Sequence, residues 1–489
     1  MREEMEQQAL IPQLTMPVDS SPEPRKIPRW MRSFFTENAS PGSASLTDLQ
    51  RRACWIGVAL ILQALNEVTL LVLVYFPLVP PLAPWAGLIS FGLIAGSLIA
   101  LWMAFRSDPL SSRREEAGTR QNRPRRWQHV VLILLLVSTL AGVGELVAST
   151  IMGFFITPIY RNDGTSLDMN AAILLTEGRD PYVDSNILTV VRRFSILPIW
   201  TTPLRAGQFA NSATYPTPDQ ISRVLAQDLK TGKAPEFESK VSYPAFAFLS
   251  LVPFAWLKTN NALPLYLICY ALIVFIGWKK VRPEMRPWLV LLSLANVSML
   301  TSVLNGILDI QYILFILLAW LLRDERWWTV IFLGLACATK QLAWYFLPFY
   351  AILIWRPNGL REAIARLSMA GAIALAINLP FILWNAHAWL AGVLAPVADP
   401  MYPSGVGVVA LGLSPLFPLL PAAVYTMLEA LSMLFCIVWY WRICRSHPEA
   451  VMLLAMLPLF FAWRSLPSYF YCVALPLFIL QVQNRSCPA

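Results

Sequence analysis

Long apolar runs recur along this chain from Ala53 to Leu480, and short polar or charged connections separate them. A helix needs roughly 20 apolar residues to cross a bilayer, and several of the runs approach that length. The pattern predicts an all-α, polytopic membrane protein of about twelve transmembrane helices. The runs are Ala53–Leu78, Ala83–Phe105, His129–Ile156, Leu263–Trp278, Pro287–Leu304, Gln311–Leu322, Trp327–Thr339, Leu342–Trp355, Leu367–Trp384, Leu416–Trp441, Pro448–Trp463 and Leu466–Leu480.

The apolar segment Tyr243–Leu257 departs from this pattern. It contains Pro244 and Pro253 and is about fifteen residues long, which is short of the ~20 residues that a spanning helix needs. We therefore expect a re-entrant or interfacial helix packed against the bundle. Irregular backbone at membrane depth is stable only where it lines a protein-enclosed or water-filled space. Several of the later runs are also short, so we expect a cavity that opens on the outer side.

The composition excludes an ordinary soluble domain, since 57% of the 489 residues are hydrophobic and 14% are charged. Residues 1–50 are rich in proline and polar side chains, so we expect a disordered cytoplasmic N-terminus. An N-terminal transmembrane hairpin with a basic loop follows (51–128), then the main membrane module (129–481) with a large outer loop (157–242), and a cytoplasmic tail (482–489). The cysteines show no metal-ligand spacing, so neither disulfides nor a metal site is expected.

Basic residues are concentrated in the short connections, and this asymmetry sets the predicted orientation. Cytoplasmic loops of membrane proteins carry an excess of Lys and Arg. Placing every basic connection inside puts both termini in the cytoplasm and loop 157–242 outside, in an integral protein of the plasma membrane. Orientation accounts for the net charge of +9, so no nucleic-acid partner is expected. The connections are Arg51–Arg52, Arg106–Arg126, Lys279–Arg282, Arg323–Arg326, Arg356–Arg366 and Arg442–Arg445.

A lone carboxylate, Asp168, lies in the outer loop ahead of a short apolar helix predicted over Met169–Thr176. A carboxylate at the rim of a bilayer can meet both a lipid-borne and a water-borne substrate, and it stays charged only where neighbouring groups stabilise it. This position favours catalysis. The alternative is structural, with Ser166 or Asp168 capping the helix and Gly178 ending it.

Lys340 interrupts an apolar run that is predicted to lie in the membrane. A lysine at the centre of a membrane helix costs about 2.5–3.5 kcal/mol, so we expect it to face a counter-charge such as a phosphate. The alternative is a snorkelling or salt-bridged structural lysine. Other polar residues are predicted on the same outer side of the membrane: Asp309, Gln311, His387, Asp399 and Arg464.

Several short motifs occur in a fixed order around these residues. They are Asp168 with Ala171-Ala172-Ile-Leu-Leu175, Gly178-Arg-Asp-Pro-Tyr182, Tyr243-Pro244, Asn305-Gly306-Ile-Leu-Asp309-Ile-Gln311, and Gly334-Leu-Ala-Cys-Ala-Thr-Lys340. Together they resemble the GT-C superfamily of polytopic glycosyltransferases, which use polyprenyl-phosphate sugar donors. The resemblance is greatest to glycosyltransferase family 87, the polyprenol-phosphate-mannose-dependent mannosyltransferases, and it covers roughly residues 129–480.

The resemblance implies an inverting transfer of mannose or another sugar at the outer face of the membrane, from a polyprenyl-phosphate donor to a lipid-linked or cell-envelope acceptor. The family's loop aspartate corresponds to Asp168, the implied general base on the acceptor hydroxyl. Lys340 and Arg464 would bind the donor phosphate. The lipid-linked sugar is a co-substrate, so no cofactor or metal is implied, and membrane lipids are the remaining partners. Contacts to the sugar or acceptor are implied for His387, Tyr182, Tyr243, Asp309 and Gln311.

Two other classes of membrane protein compete with this interpretation. A transporter or flippase of polyprenyl-linked or other anionic lipids would share the cavity and the buried lysine. Transporters usually show two-fold internal repeats in hydropathy, and no such repeat is visible in this sequence. A non-catalytic membrane scaffold would give Asp168 and Lys340 no role. Release of free polyprenyl phosphate that depends on substrate separates the enzyme from both.

Overall fold

Helices form nearly all the regular structure in the computed structural model, which describes residues 46–75, 84–105, 126–155, 160, 162–194, 196–212 and 214–483. Two short strands, β1 (Ser404–Gly405) and β2 (Arg464–Ser465), pair in parallel with Ser404 opposite Arg464. The predicted all-α class is confirmed. The predictions for residues 1–45, for the basic loop 106–125 and for the tail from 484 onward lie outside the described residues.

Three long apolar helices open the described chain: α1 (Leu46–Leu70), α2 (Ala86–Met103) and α3 (Arg126–Phe155). A π-helical turn, Leu71–Tyr75, continues α1. Helices of this kind satisfy their backbone hydrogen bonds internally, which is what a lipid environment requires. Gly57 allows α1 to approach α3 closely, because a Cβ at this position would lie 2.6 Å from Leu135 Cδ1.

Short helices build the segment that follows α3. They are α4 (Asp163–Thr176), α5 (Pro181–Asp184), α6 (Ile187–Arg193), α7 (Pro218–Thr231), α8 (Phe246–Leu249) and α9 (Val252–Trp256). The segment Tyr243–Leu257 therefore contains two helices of 4 and 5 residues. Neither helix is long enough to cross a bilayer. The first helix ends before Ser250, and Pro253 lies in the first turn of the second helix.

The middle of the chain combines long and broken helices. They are α10 (Leu263–Lys280), α11 (Arg286–Ala295), α12 (Val297–Leu304), α13 (Asp309–Leu321), α14 (Arg326–Thr339), α15 (Leu347–Asn358) and α16 (Leu360–Val393). A 3₁₀ segment, Gln341–Phe346, joins α14 to α15. The 34-residue α16 is kinked at Asn385, where the backbone leaves the helical region.

The C-terminal part of the described chain has one long helix, α19, among short ones. Its helices are α17 (Ala395–Ala398), α18 (Val409–Gly412), α19 (Ala422–Ile443), α20 (Val451–Leu454), α21 (Ser468–Tyr471) and α22 (Ala474–Gln481). The strands β1 and β2 join the loop after α17 to the residues that precede α21.

Six of the described helices are long and apolar enough to cross a membrane: α1, α2, α3, α10, α16 and α19. The pair α11 and α12, bent by 55°, would make a seventh span. The chain therefore has the helices of a multi-pass membrane protein. Other apolar runs form helices such as α13 and α14, with 13 and 14 residues. At about 1.5 Å per residue these helices are short of the ~30 Å hydrocarbon core, so the arrangement of twelve spans stays a prediction.

The N-terminal hairpin packs directly on the C-terminal helices. Trp102 of α2 lies against Trp439 of α19, with ring centroids 4.2 Å apart. A buried hydrogen bond runs from Asn66 Nδ2 in α1 to the Tyr471 hydroxyl in α21, at 2.8 Å. The hairpin is thus part of the same packed core as the module that begins at residue 129.

Candidate functional site

Asp168 lies inside helix α4 and does not cap it. The side chain of Asn162 accepts a hydrogen bond from the backbone N–H of Thr165, and this cap starts the helix at Asp163. Asp168 is therefore in the second turn, where the backbone N–H groups already have partners within the helix. The capping alternative for Asp168 and Ser166 is wrong. Gly178 does follow the end of the helix, in a left-handed conformation with φ 74°.

The carboxyl group of Asp168 is fully buried, and neither oxygen has a hydrogen-bond partner among the described residues. Buried polar groups in folded proteins are nearly always hydrogen-bonded, so an orphaned carboxyl calls for an explanation. Burial raises the pKa of Asp168 well above its usual range, and the nearby charge of Lys340 lowers that pKa in part. The expected opening of the site to the outside is not present at Asp168, whose side chain has 0% exposure.

Lys340 pairs with Asp309 in the protein interior. Its Nζ lies 2.5 Å from Asp309 Oδ1, and both side chains are buried. The ammonium also lies over the rings of Tyr243 and Tyr469, 5.1 Å and 5.8 Å from their centroids. The structure thus has the salt-bridged lysine that the sequence offered as an alternative, and binding of a phosphate by Lys340 stays a prediction. Lys340 follows the end of α14 and Asp309 begins α13, so packing of these two helices brings the pair together.

The other sequence motifs meet at the start of α4. Asn162 Nδ2 donates to the carbonyl of Asn305 at 3.0 Å, and the Thr165 hydroxyl donates to the carbonyl of Gly306. Gly306 has a φ of 78°, a conformation that favours glycine, and it turns the chain into α13 just before Asp309. The turn at Asn305–Gly306 therefore connects the helix that carries Asp168 to the helix that carries the partner of Lys340.

Two tyrosines predicted to contact substrate lie close to Asp168. The Tyr182 hydroxyl donates to the backbone carbonyl of Tyr243 at 2.8 Å, and both side chains lie within electrostatic range of Asp168. The side chain of Gln341, the neighbour of Lys340, contacts the adjacent residue by donating to the Ser242 carbonyl at 2.7 Å. The backbone at residues 242–243 is thus fixed between the Asp168 helix and the Lys340 turn.

Of the other residues predicted for the site, Gln311 lies in this buried group and His387 lies outside it. Gln311 is buried in α13, where its amide oxygen accepts from the Ser250 hydroxyl at 3.4 Å. It therefore ties α13 to the broken segment that starts at Tyr243. His387 is exposed on α16 beyond the kink at Asn385, and among the described residues it forms no hydrogen bond or ion pair with the buried group.

Arg464 lies on β2, in a layer of charged groups next to the buried site. Its charge acts on Asp163, whose carboxylate accepts from the backbone N–H groups of Gly164 and Thr202 at 2.9 Å and 2.6 Å. Burial raises the pKa of Asp163, and these hydrogen bonds together with Arg464 lower it in part. Arg464 also acts on the Tyr469 hydroxyl. Tyr469 therefore lies near both Arg464 and Lys340.

Sequence reasoning missed Tyr469 and Asn162. Tyr469 lies within an apolar run, where a tyrosine gives no sign that its ring will cover a buried ammonium. Asn162 could have been found from the sequence, because Asn is a common N-cap residue. With Asn162 as the cap, the helix is predicted to begin at Asp163. Within the described residues, no group of three or more His, Cys, Asp or Glu side chains is arranged to hold a metal ion.

Comparison of the chain with protein-family models, with curated proteins and with solved structures finds no significant match.

Proposed function

We propose that the protein is an inverting glycosyltransferase that moves a sugar from a polyprenyl-phosphate donor to a lipid-linked or cell-envelope acceptor at the outer face of the membrane. One observation supports this proposal above the others. It is the buried carboxyl of Asp168, with two unpartnered oxygens, beside the Lys340–Asp309 ion pair. A general base needs an oxygen that is free to take a proton from the acceptor, and Asp168 has two of them.

In the proposed reaction, Asp168 removes the proton from the acceptor hydroxyl as that oxygen attacks the anomeric carbon of the sugar. The bond between the anomeric carbon and the phosphate oxygen breaks on the opposite face, and the electron pair leaves with polyprenyl phosphate. One O–H bond and one C–O bond break, while a carboxyl O–H bond and the new glycosidic C–O bond form. The acceptor therefore enters from the Asp168 side and the lipid phosphate leaves from the other.

The charges near Asp168 have separate roles in this scheme. A base must be ionised before it can act, and burial opposes the ionisation of Asp168. The positive charge of Lys340 favours the ionised form, although Asp309 shares that charge through the ion pair. An acceptor hydroxyl that donates to Asp168 adds a hydrogen bond to the charged form, which lowers its pKa further. Binding of acceptor is therefore expected to help create the base.

On the donor side, developing negative charge on the leaving phosphate is met by Lys340 and Arg464. Asp168, Lys340 and Asp309 are all buried, so substrates reach them only after covering residues move. The segment at Tyr243 is suited to such movement, because it consists of two short helices broken at Ser250.

The proposal includes about twelve spans with the Asp168 loop outside, as the distribution of basic residues predicts.

A transporter or flippase is the second candidate, and the same carboxyl favours it. Ionisable groups buried in membrane proteins often relay protons, and a carboxyl with a raised pKa beside an ion pair is suited to that task. The two functions differ in their products. Only the transferase releases free polyprenyl phosphate together with a new glycolipid.

The decisive experiment uses the purified full chain in proteoliposomes with radiolabelled polyprenyl-phosphate mannose and a cell-envelope lipid extract. The proposal expects equal amounts of polyprenyl phosphate and labelled glycolipid, with no product when the extract is omitted. Movement of the labelled donor to the other leaflet without either product would favour the flippase. If neither product nor movement occurs with mannose, pentose and glucose donors, the proposal is wrong.

A further inference from the structure

Arg205 occupies an unusual place in the loop between α6 and α7. Its guanidinium lies over the ring of Tyr402 at 5.1 Å and over the ring of Trp463 at 5.9 Å. Its backbone N–H donates to the carbonyl of Pro400 at 2.8 Å. Two aromatic rings and a backbone hydrogen bond therefore hold this guanidinium in a fixed position.

The Nε of Arg205 is buried and has no acceptor among the described residues. A buried donor without an acceptor is unfavourable, and a guanidinium has five N–H donors to satisfy. The ion pairs found in the described part of the chain do not include Arg205. An anion that accepts two parallel N–H bonds would satisfy this side chain best.

A second arginine faces the same stretch of chain. Arg464 Nη1 contacts Met401 Sδ, and the indole of the preceding Trp463 donates to the Met401 carbonyl at 3.1 Å. The segment Pro400–Tyr402 thus touches both arginines. Arg464 also has no carboxylate within ion-pair distance among the described residues, although the charge of Asp163 acts on it from further away.

The carboxylates on the segments next to the two arginines have other partners. Lys240 pairs with Asp399 at 2.5 Å, and the Asp163 carboxylate accepts two backbone N–H groups. Glu238 lies beside Asp399, and burial, with the charges of Asp399 and Asp163, raises the pKa of Glu238. In the described part of the chain none of these carboxylates forms an ion pair with Arg205 or Arg464, so both guanidiniums are available to an anionic ligand.

We propose that Arg205 and Arg464 form a binding site for the phosphate group of a lipid, with Tyr402 and Trp463 holding the plane of the Arg205 guanidinium. Two lipids could supply this phosphate, namely the polyprenyl-phosphate donor or an acceptor with a phospholipid head group. Only the choice of lipid rests on the proposed function. Phosphate binding itself is measurable without turnover.

The test measures equilibrium binding to the purified full chain in nanodiscs. The probes are farnesyl phosphate, which stands for the lipid phosphate that the donor carries and releases, and phosphatidylinositol in a phosphatidylcholine bilayer, which stands for the acceptor. Farnesol and phosphatidylcholine alone are the uncharged controls. We expect R205Q and R464Q each to weaken binding of one phosphate probe about tenfold or more, the usual effect of losing a charge-assisted pair. The matched control is R223Q, which removes an exposed arginine of α7 whose Nε bonds only a backbone carbonyl.

The outcomes separate the sources. A loss confined to farnesyl phosphate assigns the site to the donor, and a loss confined to phosphatidylinositol assigns it to the acceptor. Wild-type binding of both probes by R205Q and R464Q would overturn the proposal. R205K keeps the charge but lacks the planar guanidinium, so it should bind the probe about two- to fivefold more weakly than wild type. This variant replaces R205Q in the test if R205Q does not fold. Asp168 is assigned to the acceptor side, so D168N should bind farnesyl phosphate as wild type does, and a failure of catalysis is distinguishable from a failure of this site.

Discussion

Lys340 Nζ lies 2.5 Å from Asp309 Oδ1 inside the protein, where the two residues have only 6% and 1% of their surface exposed. Each charge is stable there because the other is present. Removing one partner of a buried ion pair typically destabilises a protein by about 3–5 kcal/mol, since the remaining charge is left without compensation. Replacing both partners with apolar residues is much less harmful.

The first prediction concerns this pair. Lys340→Met should lower the free energy of unfolding by about 3–5 kcal/mol, measured by chemical denaturation in detergent micelles. The double variant Lys340→Met with Asp309→Leu should recover most of that loss. Lys240→Met is the matched control, because Lys240 is 42% exposed in its pair with Asp399 and the effect should stay below about 1 kcal/mol. Equal destabilisation by the single and double variants would contradict the account.

The double variant also separates folding from donor binding. If Lys340 meets the donor phosphate, the folded double variant should still have a raised KM for polyprenyl-phosphate mannose, by about tenfold or more. Its KM for the acceptor should change little. A wild-type donor KM in this variant would assign Lys340 a structural role alone.

A second prediction concerns the N-terminal hairpin. Asn66 bonds the hydroxyl of Tyr471, two residues beyond the tyrosine that covers Lys340. Asn66→Leu should destabilise the protein by about 1–3 kcal/mol, because the variant removes a buried polar partner, and it should raise the donor KM. Thr69→Val is the control, since the Thr69 hydroxyl bonds only the Leu65 carbonyl on an exposed part of the same helix. Loss of stability with an unchanged donor KM would show that the hairpin has a structural role only.

A third prediction follows from the raised pKa of Asp168. The folded pKa lies above the unfolded value, so the folded state binds more protons between the two values. Stability is therefore full at low pH and falls as the pH rises from the unfolded pKa towards the folded one. Asp168→Asn removes this loss. The variant should unfold at a higher temperature than wild type at pH 7, with a smaller difference at pH 5. A lower unfolding temperature for the variant at both pH values would contradict the burial argument.

Orientation is open to a direct fourth test. Cysteines introduced at the half-buried Ser212 and the exposed Asn358 of a cysteine-free variant should label oppositely with an impermeant maleimide applied to intact cells. Ser212 lies in the outer loop and should label, whereas Asn358 lies in a basic connection and should not. Labelling of Asn358 alone would reverse the orientation and put Asp168 on the cytoplasmic side.

The sequence predicted Asp168, Asp309, Gln311 and Lys340 on one side of the membrane, and these residues lie near one another in the structure, whereas His387 and Asp399 lie elsewhere. A turn at Asn305–Gly306 and a helix break at Lys340 are both legible in the sequence, and both lead to the group around Asp168. The ion pair to Asp309 was not predicted, because residues 31 positions apart must first be brought together by helix packing.

Helix lengths were the weaker part of the sequence interpretation. Apolar composition identified α1, α2 and α3, where long apolar runs contain few breaks. In the second half, apolar runs are divided by bends that hydropathy does not record, such as the 55° bend between α11 and α12. The start of α4 was also placed too late, since the capping side chain of Asn162 was overlooked. That error alone made Asp168 a candidate cap.

The central claim is that Asp168 is the general base, and the turnover of Asp168→Asn tests it most directly. The measurement is the initial rate at which purified protein forms glycolipid from polyprenyl-phosphate mannose. The references are the wild type and Asp219→Asn, a variant that removes an exposed carboxylate of α7. Asn keeps the shape of the side chain without its basicity. The account predicts a rate lower by roughly 10²–10⁴-fold for Asp168→Asn with normal folding and donor binding, and no change for Asp219→Asn. A near-wild-type rate for Asp168→Asn would contradict it.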